Sequence, residues 1–180
     1  IIIMVGKKNK TKTVGEIMMG IGILFTGMIL MQEKIAPLAE LPQFEQLFAV
    51  LKNPVLGVLV GAIFTAIIQS SAASIGILQA LSVSGAITFA SAFPIIMGTN
   101  IGTCATPLIS SIGASKNAKR AAMIHFYFNL IGTIIFLIGV YIIQYTIGLP
   151  FWNKSFTTGS IANFHTIFNV VVTIIFLPFY

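Results

Sequence analysis

The sequence predicts an all-α integral membrane protein: a polytopic bundle with a re-entrant helical hairpin and a discontinuous transmembrane helix. Three observations lead there. Of 180 residues, 57% are hydrophobic and 8% charged, and the mean hydropathy is +1.00, whereas a soluble domain carries about 25% charged residues. No charged residue occurs from Asn53 to Ser115. In the middle of that stretch stand Gln69-Ser70-Ser71, flanked by the small residues Ala66, Ala72, Ala73, Ser74 and Gly76. Polar groups in lipid-like surroundings must find partners, and at membrane depth they mark a functional site.

The charges exclude several classes. All four acids are Glu (Glu16, Glu33, Glu40 and Glu45), and they precede the uncharged region, which argues against a catalytic carboxylate pair or a carboxylate metal cage. The net charge of +6 comes from short basic clusters beside apolar runs, the pattern of cytoplasmic loops rather than of a nucleic-acid surface. Cys104 is the single cysteine, so no internal disulfide forms. Two histidines without a nearby acid or second thiol do not make a transition-metal site. Ser70 and Ser71 have no evident base, so the chain is not read as an enzyme, and no cofactor is called for.

The elements follow in order. Residues 1–13 read as the end of an upstream helix (Ile1 to Val5) and a basic loop with Lys7, Lys8, Lys10 and Lys12. Residues 14–31 form a first span of about the length a bilayer requires. Residues 38–51 place Leu38, Leu41, Phe44, Leu47, Phe48 and Leu51 on one face, as in an amphipathic helix at the interface. Residues 54–84 hold two apolar arms around the polar triplet, each short of the roughly 30 Å hydrocarbon thickness. Both carry small residues at every fourth position, Gly57, Gly61, Thr65 and then Ala72, Gly76, Ala80, Ser84, which lets helices pack backbone to backbone. A re-entrant hairpin with Gln69-Ser70-Ser71 at its tip fits best; two ordinary spans with a short turn are the alternative.

Residues 86–112 are expected to form a broken span. Gly98-Thr99-Asn100-Ile101-Gly102-Thr103 is unfavourable for helix by propensity, and a discontinuous helix of this kind builds ion and substrate sites in transporters. The second half is expected to be capped by Thr103, or by Thr106 with Pro107 at the first helical position. A second basic loop spans residues 116–120, with spans expected at 117–145 and 161–180 and Trp152 as an interfacial anchor. Between the two basic loops the number of crossings is even, so both fall on one side, as the positive-inside rule requires. His125/Asn129 and His165/Asn169 repeat the same i, i+4 pair, a polar seam for joining helices.

Gln-Ser-Ser at a hairpin tip, Gly-Thr-Asn-Ile-Gly-Thr about 30 residues later, and Phe164-His165 with Phe168-Asn169 near the end together resemble the sodium-dependent phosphate cotransporter family over residues 14–180. That resemblance implies two inverted repeats with the substrate between two such tips, so the chain is similar to the second repeat alone and its partner is the missing first repeat. It further implies sodium-coupled transport of inorganic phosphate across the cell membrane; the charge pattern independently puts basic loops 7–12 and 116–120 on the cytoplasmic side. The implied substrate and ion site is Gln69, Ser70, Ser71, Ser74, Thr99, Asn100 and Thr103, with Gln69, Ser70 and Asn100 holding sodium. Where the family's Gln is usually followed by three serines, this chain has Ser70-Ser71-Ala72. Helix N-termini near Ser71 and Thr103 would favour an anion without any Lys or Arg. A carrier of another small anion such as a dicarboxylate, or a non-transporting membrane scaffold, are the alternatives.

Overall fold

Long apolar runs bounded by Ser, Thr, Asn and Pro set the helix ends. The computed structural model describes residues 9–39 and 41–179; Ile1 to Lys8, with the expected end of an upstream helix, lie outside the described residues, as does Glu40. The helices are α1 (Asn9–Ala39), α2 (Pro42–Val50), α3 (Pro54–Ile68), α4 (Ser71–Ser82), α5 (Phe89–Gly102), α6 (Ala105–Ser110), α7 (Lys116–Thr146) and α8 (Thr158–Phe176), followed by a 3-10 turn at Leu177–Phe179. Among the described residues there is no strand beyond an isolated bridge between Thr88 and Ser155. Among the described residues, four helical stretches are long and apolar enough to cross a membrane: Asn9–Ile35, Phe89–Ser110, Lys116–Thr146 and Thr158–Phe179. The protein is an all-α membrane protein.

Side-chain caps explain several starts. Asn53 accepts from the Val55 and Leu56 amides at 3.0 and 3.2 Å with Pro54 at the first position of α3, Ser115 caps α7 and Thr157 caps α8. Such caps satisfy orphan N–H groups. Both expected basic loops are shortened by this. Lys10 and Lys12 already lie in α1, and Lys116, Lys119 and Arg120 form the opening turns of α7. α1 also continues past Met31 through Pro37 to Ala39, so Leu38 belongs to it and the expected 38–51 helix is reduced to α2. α2 turns Phe48 inward, and Leu51, just past its end, is buried as well, while Leu41 and Leu47 are exposed.

α5 is the enclosed helix, buried on almost every side, with its polar Ser91, Thr99 and Asn100 buried as well. Phe93, Ile96 and Met97 are fully buried against Phe168 and Val172 of α8. On its other side it runs parallel to α3 with almost no space between the backbones. A Cβ on Gly61 would overlap the Ile95 carbonyl, one on Gly98 the Val58 carbonyl, and one on Gly102 the Ala62 carbonyl. This is the small-residue packing that drives helix association in lipid. α7 lies antiparallel to α8 at Gly132, where an added Cβ would come within 2.8 Å of the Val172 methyls. At one end Phe89 is ringed by Phe93, Phe151, Trp152, Phe156 and Phe164. Backbone bonds from Phe89 to Lys154, Ala90 to Trp152 and Phe156 to Ile87 tie the 147–157 loop there.

The span is discontinuous as expected, but its break lies later than the Gly98–Thr103 segment as a whole. α5 remains helical through Gly102, and the interruption is confined to Thr103 and Cys104 before α6 begins at Ala105. The reason is local and tertiary. Thr99, Asn100 and Thr103 donate their side-chain hydrogen bonds to the carbonyls four residues back, at 3.1, 3.1 and 2.8 Å, supplementing the helix ladder rather than replacing it. Gly98 and Gly102 supply the close approach to α3, and packing overrides propensity. Neither expected cap forms: Thr103 closes α5, while Thr106 and Pro107 lie inside α6, whose N-cap Cys104 makes no side-chain cap bond.

Candidate functional site

The turn between α3 and α4 carries the polar triplet. Gln69 closes α3 in the left-handed conformation (φ 59°, ψ 24°), with its N–H donating to the Thr65 carbonyl at 2.7 Å. Among the described residues it is the one non-glycine with positive φ. That conformation costs an L-residue roughly 1–2 kcal/mol, so a glycine would serve the turn better. The side chain is exposed and takes no part in holding the turn.

Ser70 then caps α4. Its Oγ accepts from the Ala73 amide at 3.2 Å, and its carbonyl accepts from the Ser74 amide at 3.0 Å and from Ser74 Oγ at 3.1 Å. The remaining N–H groups at the head of α4 are those of Ser71 and Ala72, directed outward from a helix end that carries about half a positive charge. Ser71 is half-buried and Ala72 exposed. Beneath them Thr65 Oγ1 donates to Ser74 Oγ at 3.0 Å; both residues are buried. A polar column therefore descends from the tip through Ser70 and Ser74 to Thr65, which backs onto Gly102 of α5.

The structure places the other expected residues around this column unequally. Thr99 is buried and shares with Ser74 the wall of a cavity of about 340 Å³ that is otherwise lined by apolar residues including Phe48, Phe64 and Leu78. Thr103 is half-buried, one residue beyond Gly102. Asn100 points elsewhere: its Oδ1 accepts from His165 Nε2 of α8 at 3.1 Å, and its amide nitrogen donates to Ile96. In both i, i+4 pairs the Asn bonds back to its own helix, Asn169 donating to the His165 carbonyl at 2.8 Å, and the two pairs differ in what the His ring meets. Asn129 donates to the His125 carbonyl at 2.9 Å, and Cys104 Sγ approaches the same carbonyl at 3.6 Å, while His125 Nδ1 is buried without a partner. Thr65 is the residue that sequence reasoning passed over. It stood in the small-residue stripe with Gly57 and Gly61, where its hydroxyl was the one polar signal.

Residues 27–151 match the profile of the Na+/Pi-cotransporter family. The chain belongs to that family. The matched stretch contains α3 to α7, and so both the tip and the Gly98–Thr103 segment. Among relatives, YqeW of Bacillus subtilis (strain 168) is 31% identical over 93% of this chain and 54% of its own length. Escherichia coli (strain K12) YjbB, provisionally named an inorganic phosphate export protein, is 26% identical over 96% of this chain and 32% of its own length. Sodium-dependent phosphate transport protein 2A of Rattus norvegicus is 39% identical over 49% of this chain and 15% of its own length. The chain thus spans about half the length of YqeW and less of the other two. No solved structure matches it.

Proposed function

We propose that the full-length protein carries out sodium-coupled secondary transport of inorganic phosphate and that this chain contributes about half of the transporter. The observation that carries this reading is the tip itself: Gln69 held in a left-handed turn beside the open N–H groups of Ser71 and Ala72. An anion binds such a helix end without a cationic side chain, and no Lys or Arg occurs from Asn53 to Ser115. α6, with six residues, adds little to this field. One helix end provides about +0.5, so a divalent phosphate calls for an opposing tip from the missing first repeat.

Phosphate is placed at Ser71 and the α4 N-terminus. Sodium is placed among hard oxygens beside it: Gln69, Ser70, Ser74, Thr99 and Thr103, with Asn100 joining only by exchanging His165 for the ion. The hairpin is read as re-entrant because its arms of 15 and 12 residues reach about 22 and 18 Å, against about 30 Å of hydrocarbon. Its depth follows from its neighbours. α3 starts where the Tyr141 hydroxyl donates to the Lys52 carbonyl at 3.4 Å and ends beyond Gly102, near the level where Cys104 meets His125. α7 continues past that level for several more residues to its basic end. α1 leads toward the Asn53 end, so Lys10 and Lys12 fall at the same end as Lys116, and we assign that end to the cytoplasm of a cell-membrane protein. No catalysis is proposed. A dicarboxylate carrier is the weaker reading, since the uncharged stretch offers no Arg or Asp for such a substrate.

The test is phosphate uptake by the full-length protein in liposomes under an inward sodium gradient. Sodium should drive uptake. Gln69→Ala and Ser71→Ala should each lower it at least about tenfold at normal expression, because truncating a group on a desolvated ion costs several kcal/mol. Uptake indifferent to sodium, or to both substitutions, would refute the assignment.

A further inference from the structure

The opening of α7 carries a stripe that the transport reading does not use. Lys116, Lys119, Arg120, Met123, Ile124 and Tyr127 fall at i, i+3, i+4, i+7, i+8 and i+11 and line one shallow cleft of about 410 Å³. Such spacing is one face of a helix. All six are exposed, Met123, Ile124 and Tyr127 by 38%, 52% and 49%. The face is divided along its length: three cations in the first two turns, then a thioether, a branched aliphatic and a tyrosine. No acidic residue follows Glu45 anywhere in the sequence, so the rest of the chain from residue 46 offers no carboxylate to neutralise the three. The positive end of the α7 dipole, capped by Ser115, adds to them.

We propose that this stripe is a binding site for an anionic glycerophospholipid, with its phosphate on Lys116, Lys119 and Arg120 and an acyl chain along Met123, Ile124 and Tyr127. The dimensions match. Lys116 to Tyr127 covers about 16 Å of helix, close to half the roughly 30 Å hydrocarbon thickness, or one leaflet. Free phosphate explains the cations but leaves the apolar half of the cleft unused; a zwitterionic lipid explains the apolar half but leaves three positive charges uncompensated. An anionic lipid satisfies both halves at once. Basic residues at the end of a membrane helix are each attracted appreciably to such headgroups.

Native mass spectrometry of the full-length protein, purified in detergent and mixed with equal amounts of phosphatidylglycerol and phosphatidylcholine, tests this. The wild type should retain phosphatidylglycerol about tenfold or more over phosphatidylcholine, and millimolar inorganic phosphate should not displace it. The triple variant Lys116→Gln/Lys119→Gln/Arg120→Gln should lose that excess, whereas Lys116→Arg/Lys119→Arg, which keeps the charge, should preserve it. Equal retention of the two lipids by the wild type, an unchanged excess in the triple variant, loss of the excess in the charge-keeping variant, or displacement by inorganic phosphate would each overturn the proposal.

Discussion

Two polar clusters flank α5, and they are built on opposite principles. The Asn100–His165 pair is closed: Asn100 is buried, its oxygen accepts from His165 and its amide donates to Ile96, so its polar atoms are spent on joining two helices. The tip cluster is open. Thr65 donates to Ser74 and Ser74 to the Ser70 carbonyl below, while the Gln69 side chain and the Ser71 and Ala72 amides remain at the surface. Between the clusters lies the glycine seam of α3 and α5, which has no polar side chain until Thr65. The difference teaches where to look for a ligand in an apolar bundle: in polar groups that the fold positions but does not consume.

The largest expected effect comes from the seam that holds the open cluster in place. Gly98→Leu forces a side chain into the Val58 carbonyl and should cost more than about 3 kcal/mol, seen as loss of monodisperse protein on size-exclusion chromatography. Gly139→Leu, on α7 where an added Cβ meets nothing within 4 Å, should be tolerated. Equal behaviour of the two would remove the seam from the account.

A smaller effect distinguishes the two clusters directly. His165→Ala strands the buried Asn100 oxygen and should destabilise the protein by about 1–3 kcal/mol, while transport per folded molecule stays within about twofold. Asn100→Ala should lower transport at least about tenfold if that amide exchanges partners to serve sodium. Equal transport losses in the two variants would confine Asn100 to its structural role. The smallest effect is a gain. Gln69→Gly relieves the left-handed turn and should raise thermal stability by up to about 1 kcal/mol, yet abolish sodium-driven uptake. A stability loss would mean that the Gln69 side chain holds the turn.

Much of this was legible from local pattern. The two apolar arms and the polar turn between them stood out because charge vanishes from Asn53 to Ser115 while Gln69-Ser70-Ser71 interrupts it. The Gly57/Gly61/Thr65 stripe pointed to close helix packing for the same reason. What failed was propensity read without tertiary context. Gly98 to Thr103 looked like a break, but the glycines are there for α3 and the Thr and Asn side chains bond back to their own helix. The Thr65–Ser74 and Asn100–His165 contacts join residues 9 and 65 positions apart, and a single sequence carries no periodicity that pairs them. α1 ran longer than expected because Gln32, Glu33 and Lys34 are good helix formers, so polarity there marked the end of the apolar segment and not the end of the helix.

The central claim is that the tip is a ligand site reached by water from within a hairpin whose arms both return to one face. It is tested most directly by thiol labelling of the full-length protein in a cysteine-free background that includes Cys104→Ser, with single cysteines at Val55, Ala72 and Ser84. Val55→Cys and Ser84→Cys should react with an impermeant maleimide from the same membrane face, and Ala72→Cys should react slowly and be protected by sodium together with phosphate. Labelling of Val55→Cys and Ser84→Cys from opposite faces, or fast labelling of Ala72→Cys that ignores both ions, would contradict it.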